Sequence, residues 1–195
     1  MFTALLDSCV LWPSTQRDFL LSLAFEGAYR FIFSEAILLE VEVNEEIKRV
    51  ERGDSQGTAK GKAKHLSAQM RSSFSDSIVT GWEGLEGTYG LPDPDDEHVL
   101  AAALVGGAGS IVTDNFRDFP DKLIPAGIQI VSPQEFAFKT AAMRPDLALA
   151  AVQAMSLRSG RNHPRLEALE ILGALDKLYG LDETTAIIRR LIETE

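Results

Sequence analysis

Four short apolar runs, FTALL at 2–6, RFIF at 30–33, SIVT at 110–113 and GIQIV at 127–131, limit what this chain can fold into more than any other feature. Runs of four or five apolar residues without polar alternation are too short for helices and suit strands covered on both faces. The stretches between them carry helical spacing, and strand alternating with helix predicts a parallel α/β sheet with helices on both sides. Residues 15–28 place Phe19, Leu20, Leu23 and Ala24 at that spacing and close on Gly27. Ser34 is placed to cap a helix over 35–50 in which Leu39, Val43, Ile47 and Val50 form one apolar stripe, the face expected to turn inward. From Ser132 onward the strand-like runs stop and about four helical patterns follow, among them LEALEILGALDKLYG with its glycine end. The predicted organisation is an α/β domain over 1–131 and a helical C-terminal extension over 132–195.

The stretch LPDPDDEHVLAAALVGGAGSIVTDNFRDF at 91–119 concentrates acids around an apolar core segment. Asp93, Asp95 and Asp96 precede the apolar run, and Asp114, Asp118 and Asp121 follow it. In an open parallel sheet, function gathers outside the carboxyl ends of the strands. Asp7 ends the first strand, Asp114 and Asp118 follow SIVT, Glu40 lies near the start of the helix after RFIF, and Asp96 begins the helix that leads into SIVT. Carboxylates brought that close repel one another unless a cation sits among them. An oxygen-only donor set suits Mg²⁺ or Mn²⁺, which can activate water and neutralise charge developing on a phosphate. The reaction class this points to is metal-assisted phosphodiester hydrolysis.

The order and spacing of these motifs resemble the PIN-domain nucleases, and within them the VapC-type ribonuclease toxins. The resemblance rests on Asp7 in LLDSCVLWPS, Ser34 and Glu40 in SEAILLEVEVN, Asp96 in PDPDDEHVLAAA, and Thr113, Asn115 and Asp118 in IVTDNFRDFP, and it spans about residues 3–131. It implies a sheet of about five parallel strands, catalytic acids at Asp7, Glu40, Asp96 and Asp118, and Mg²⁺ or Mn²⁺ held by Asp7, Asp96 and Asp118. It also implies an RNA substrate, a cognate antitoxin protein and a homodimer. Ser8, Asn44, Thr113, Asp114 and Asn115 are candidate supporting residues. Many family members carry aspartate where this chain has Asn115, and Asp114 reads equally as a turn residue or as facing a metal.

Several residues read more simply as structure. Asp93 and Asp95 suit turn and capping positions, Glu42, Glu45 and Glu46 suit a solvated helix surface, and Asn44 fits either a partner for Glu40 or an exposed position. His65 and His98 are expected on a helix surface or in contact with nucleic acid, and Cys9 as a small buried residue. A phosphatase of the aspartyl-phosphate type would need a second aspartate where Cys9 stands. A PIN module that has lost activity and serves as an RNA- or protein-binding scaffold is the non-enzymatic alternative, and all four acidic positions are filled against it.

With 29 acids and 19 bases the formal charge is −10, which disfavours nucleic-acid binding by net electrostatics. The segment from Ser55 to Ser75 reverses that sign locally: it has no acid and carries Lys60, Lys62, Lys64, His65 and Arg71. Arg117 and the tail arginines Arg158, Arg161 and Arg165 fit either RNA contact or solvent. One cysteine, no basic apolar leader and no long apolar run make a cytoplasmic chain with no membrane span the expectation.

Overall fold

The computed structural model describes residues 2–160 and 164–194, so Arg161 lies outside the described residues. The chain divides into two compact units. One is formed by Phe2–Trp12 and Phe31–Ile130, the other by Pro13–Arg30 and the chain from Val131. The helix Ser14–Phe25 thus groups with the C-terminal helices, whereas the sequence suggested a single cut after residue 131.

The first unit carries the sheet. Its strands are β1 (Thr3–Leu6), β2 (Arg30–Ser34), β3 (Ile78–Val79), β4 (Ser110–Val112) and β5 (Gln129–Val131), in the order β3-β2-β1-β4-β5. β1 pairs parallel with β4 in the register Leu5 to Ile111 and Leu6 to Val112, and β2 pairs parallel with β3. β3 is the strand that sequence reasoning missed, because two residues are too few to show a pattern. A sheet growing outward in both directions from β1 and β4 has its topological switch point between those two strands, so the crevice opens where they end.

Four helices accompany this sheet: α1 (Ser8–Leu11), α3 (Glu35–Glu51), α4 (Gln56–Ser73) and α5 (Glu97–Val105), with α2 (Ser14–Phe25) lying in the second unit. Ser34 caps α3 as its position predicts, its hydroxyl accepting the Ile37 N–H at 3.2 Å. α5 is almost entirely buried from Glu97 to Ala103, as its small side chains allow. It runs so close to the sheet that a Cβ on Gly106, just past its end, would stand 2.2 Å from Ile32 Cδ1. Leu5, Leu6, Ile32, Phe33, Val99, Leu100, Ile111 and Val112 form the core, each fully or almost fully buried.

The orientation of α3 corrects the sequence reading. Its buried face is Ile37, Leu38, Val41, Glu45 and Lys48, while Leu39, Val43, Ile47 and Val50 are all exposed. An apolar stripe shows which residues share a face, not which face the tertiary structure covers. Glu45, expected on the surface, is buried and forms ion pairs with Lys48 and Arg49 at its own helical spacing. Burying a carboxylate is tolerable when cations accompany it.

The second unit packs α2 with α6 (Pro133–Met143), α7 (Pro145–Ser159), α8 (Ala168–Tyr179) and α9 (Asp182–Ile192). Gly180 ends α8 in the left-handed conformation that a non-glycine residue resists, as the glycine end predicts. Tyr29 and Phe136 meet edge to face at 4.7 Å in its core. Arg158 pairs with Asp18 at 2.9 Å, and Arg165 donates to the Ser156 hydroxyl. No helix among the described residues is long and apolar enough to cross a membrane.

Candidate active site

The site lies at the ends of β1 and β4, and its centre is Asp7, only 4% exposed. The backbone N–H of Asp7 still donates to Val112 O at 3.1 Å, so the sheet register fixes where the carboxylate leaves β1. Asp7 Oδ1 accepts the Ser8 N–H at 2.6 Å, which also caps the short α1. Asp7 Oδ2 accepts the Thr113 hydroxyl at 2.7 Å and the Cys9 thiol at 3.2 Å. Burial pushes the Asp7 carboxyl above the usual carboxylate range despite these donors, and the charge of Glu40 adds to the rise.

Thr113 relays this arrangement to a second acid. Its Oγ1 donates to Asp7 and accepts the Asn115 N–H at 2.9 Å, and the Asn115 side-chain amide donates to Asp96 Oδ2 at 2.9 Å. Asp7, Thr113, Asn115 and Asp96 therefore form one hydrogen-bonded chain from β1 to the start of α5. Asp96 is half-buried among like charges, and its carboxyl is pushed up to about 6 by burial first, then by the charges of Asp7, Asp118 and Asp93. Asp114 is exposed; its N–H donates to Cys9 Sγ at 3.4 Å, and its carboxyl is raised by partial burial and by Asp7.

Asp93, Asp96 and Asp118 each offer an oxygen, and those oxygens lie within 4.8 Å of one another. Asp93 does cap the turn before α5, accepting the Asp95 N–H at 3.0 Å, but it also joins this acidic trio. Asp7 stands outside the trio and is coupled to Asp96 by charge and by the Thr113 and Asn115 relay. The donor set is carboxylate oxygen throughout, which fits a hard divalent cation such as Mg²⁺ or Mn²⁺.

Glu40 reaches the same neighbourhood from the first turns of α3. Its Oε1 lies 2.7 Å from His98 Nε2. Partial burial alone would raise its carboxyl, but the hydrogen bonds from His98 and Ser8 bring it below the ordinary value. Ser8 thus touches two of the predicted acids. Asn44 is half-exposed one turn further along α3. The histidine expectation needs correction: His98 is 5% exposed and bonded to Glu40, whereas His65 is exposed as expected. The offset of two between Asp96 and His98 shares no helical face, so no periodicity marked the pair.

Glu97 is a second residue that sequence reasoning passed over. Only 3% of the residue is exposed, and its carboxylate accepts the backbone N–H groups of Tyr89, Gly90 and Leu91 at 3.2, 2.7 and 3.2 Å, pinning the loop that leads to Asp93. Of the basic segment, Lys62 pairs with Asp54 and Arg71 makes a two-pronged bond to Glu35 at 2.8 Å, while Lys60, Lys64 and His65 are exposed. Arg117 is exposed next to Asp118.

A doubly wound sheet with carboxylates gathered beside its switch point places this chain among the α/β proteins whose functional crevice lies at the strand ends. Residues 3–117 match the sequence profile described as PIN domain, and the chain belongs to the PIN-domain family. Asp7, Glu40 and Asp96 fall inside the matched span and Asp118 one residue beyond it. Family membership points to nuclease activity, and the acidic trio is compatible with metal binding. No curated protein and no solved structure matches the chain.

Proposed function

We propose that this protein is a metal-dependent endoribonuclease that hydrolyses RNA phosphodiester bonds. The observation that carries this reading is the gathering of Asp93, Asp96 and Asp118 within 4.8 Å, linked by Asn115 and Thr113 to the buried Asp7. So many carboxylates without an interleaved cation are unfavourable by themselves, and they suit a fold that acquires its cation from solution. Asp7, Asp96 and Asp118 would hold Mg²⁺ or Mn²⁺, with Asp93 as an additional donor at the exposed side. The ion, when bound, lowers the barrier to attack on the phosphorus by stabilising charge on the phosphate oxygens.

The protein's own groups then have distinct work. Thr113 and the Ser8 N–H keep the Asp7 oxygens in place, and Asn115 orients Asp96. Glu40, held by His98 and Ser8, positions the attacking water. Exposed Arg117 and the cationic side chains of α4 supply phosphate contacts that the net charge does not.

The setting we propose is the toxin half of a toxin and antitoxin pair acting in the cytoplasm. The exposed stripe Leu39, Val43, Ile47 and Val50 on α3 supports a protein partner, either an antitoxin segment or a second copy in a homodimer. The test is cleavage of a mixed RNA pool and of matched single-stranded DNA by purified protein with Mg²⁺, Mn²⁺ or EDTA, alongside Asp96→Asn. Discrete RNA fragments that need metal and vanish in the variant support the reading. Equal effects of wild type and Asp96→Asn favour a non-catalytic scaffold instead.

A further inference from the structure

We infer that His98 is a positioning residue for Glu40, its imidazole fixing where that carboxylate stands relative to Asp7 and Asp96; the inference deepens the nuclease reading and rests on it. A carboxylate only accepts, so in the 2.7 Å contact His98 Nε2 is the donor and Glu40 Oε1 the acceptor. The two partners differ sharply in freedom: the His98 side chain is 7% exposed and that of Glu40 42%. His98 is fixed by burial in α5 and by the Trp82 ring, tilted 53° at a centroid distance of 5.9 Å. Glu40, projecting from α3 on a long rotatable side chain, is the partner that gains order from the contact.

Two features make this more than a tie between helices. Glu40 is held from two sides, by His98 and by Ser8, and each holder sits beside an acid of the site: Ser8 directly after Asp7, His98 two residues after Asp96. Any displacement of Glu40 relative to those acids must therefore break one of these bonds. Furthermore, His98 Nδ1 is buried with no hydrogen-bond partner among the described residues. A buried ring with one nitrogen unsatisfied is a poor stabiliser compared with a well-packed aliphatic side chain. What the imidazole supplies that an aliphatic residue does not is the directed Nε2–H. It engages Glu40 Oε1 and, with Ser8, sets the orientation of the carboxylate.

The test measures kcat and KM for metal-dependent RNA cleavage by wild type, His98→Met, His98→Gln, Glu40→Ala and the Glu40→Ala/His98→Met double variant. His98→Met removes the donor at similar volume, whereas His98→Gln can restore an N–H near the Nε2 position. The expected result is about a tenfold fall in kcat for His98→Met, or ~1.4 kcal/mol of transition-state stabilisation, with KM and Mn²⁺ affinity unchanged. His98→Gln should recover most of that loss, and the double variant should be no slower than Glu40→Ala alone. Wild-type kcat in His98→Met, a loss confined to KM, or a further tenfold fall in the Glu40→Ala background would overturn the inference.

Should His98→Met fail to fold, the ring proton decides. In wild type the His98 Nε2–H gives a nuclear magnetic resonance signal slow to exchange with water, and Glu40→Ala should abolish it; persistence of the signal overturns the pairing. A wild type that cleaves no RNA under any metal condition sinks the nuclease reading, and the catalytic consequence of the pair with it. The ring-proton signal then still reports whether His98 holds Glu40.

Discussion

Replacing Asp96 by asparagine should make the metal-free protein more stable while removing its response to metal. The side-chain oxygen that remains in Asp96→Asn can still accept the Asn115 amide N–H, so the variant deletes a charge and keeps the hydrogen bond. The Asp96 carboxyl is pushed from an ordinary 3.8 to about 6. That displacement corresponds to ~3 kcal/mol against the ionised form. Because the group is only half-buried, solvent screening reduces this to ~1–2 kcal/mol. Asp96 also sits at the N-terminus of α5, where its charge is favoured by about 0.5 kcal/mol through the helix dipole. The net gain expected for Asp96→Asn is about 1 kcal/mol at pH 7.5 in EDTA, or roughly 2–4 °C in Tm.

The sign of the pH dependence follows from a raised acid. The protonated form's advantage is complete below the unfolded value near 3.8 and is lost as pH rises through about 6. The difference between variant and wild type should therefore vanish near pH 4 and be full above pH 7. Mn²⁺ at a hundred times its Kd should add ~2.7 kcal/mol to wild type and close to nothing to the variant. Thermal denaturation with and without EDTA across this pH range is the assay. An Asp96→Asn protein that is less stable than wild type in EDTA at pH 7.5 would refute the account of the site as strained by like charges.

Other consequences are as accessible. Thr113→Val breaks the relay between Asp7 and Asn115 and leaves a buried carboxylate short of a donor; a loss of about 1–3 kcal/mol in urea unfolding and weaker Mn²⁺ binding are expected, and unchanged Mn²⁺ titration would count against the relay. Gly106→Ala drives a methyl group into Ile32 and Val79 and should destabilise by ~1–3 kcal/mol, read as a lowered urea midpoint; an unchanged midpoint would mean that α5 is not pressed on the sheet as described. The Cys9 thiol is pushed up to about 12 by burial and then by the Asp7 charge, so iodoacetamide at pH 8 should modify it about a thousandfold more slowly than an ordinary thiol. Rapid modification of the folded protein at pH 8 would contradict that environment.

How much of this was legible beforehand varies with the range of the physics involved. Strands β1, β2, β4 and β5, the Ser34 cap and the glycine end of α8 are local matters: a handful of neighbouring residues sets the apolar run, the cap or the left-handed turn. That Asp7 and Asp96 would come together was legible because a parallel sheet sends strand ends to one edge, and the relay through Thr113 and Asn115 links them. Asp93 and Glu97 were harder, since turn-capping and site roles look alike in a run of acids. His98 was misplaced, because its partner is 58 residues away and only the approach of α5 to α3 brings the two together.

By itself, the sequence determined four of the five strands, the helical character of the segments between them, and an excess of carboxylate at the strand ends. Those follow from side-chain periodicity and local hydrogen bonding, which need no distant partner. Tertiary structure decided which face of α3 is buried, exposing Leu39, Val43, Ile47 and Val50 and hiding Glu45. It also placed residues 13–30 with the C-terminal helices, and joined Asp7 to Asp96 through Thr113 and Asn115. Such outcomes depend on packing and on contacts between residues far apart in the chain, where the energy of a side chain is set by whatever the fold brings against it.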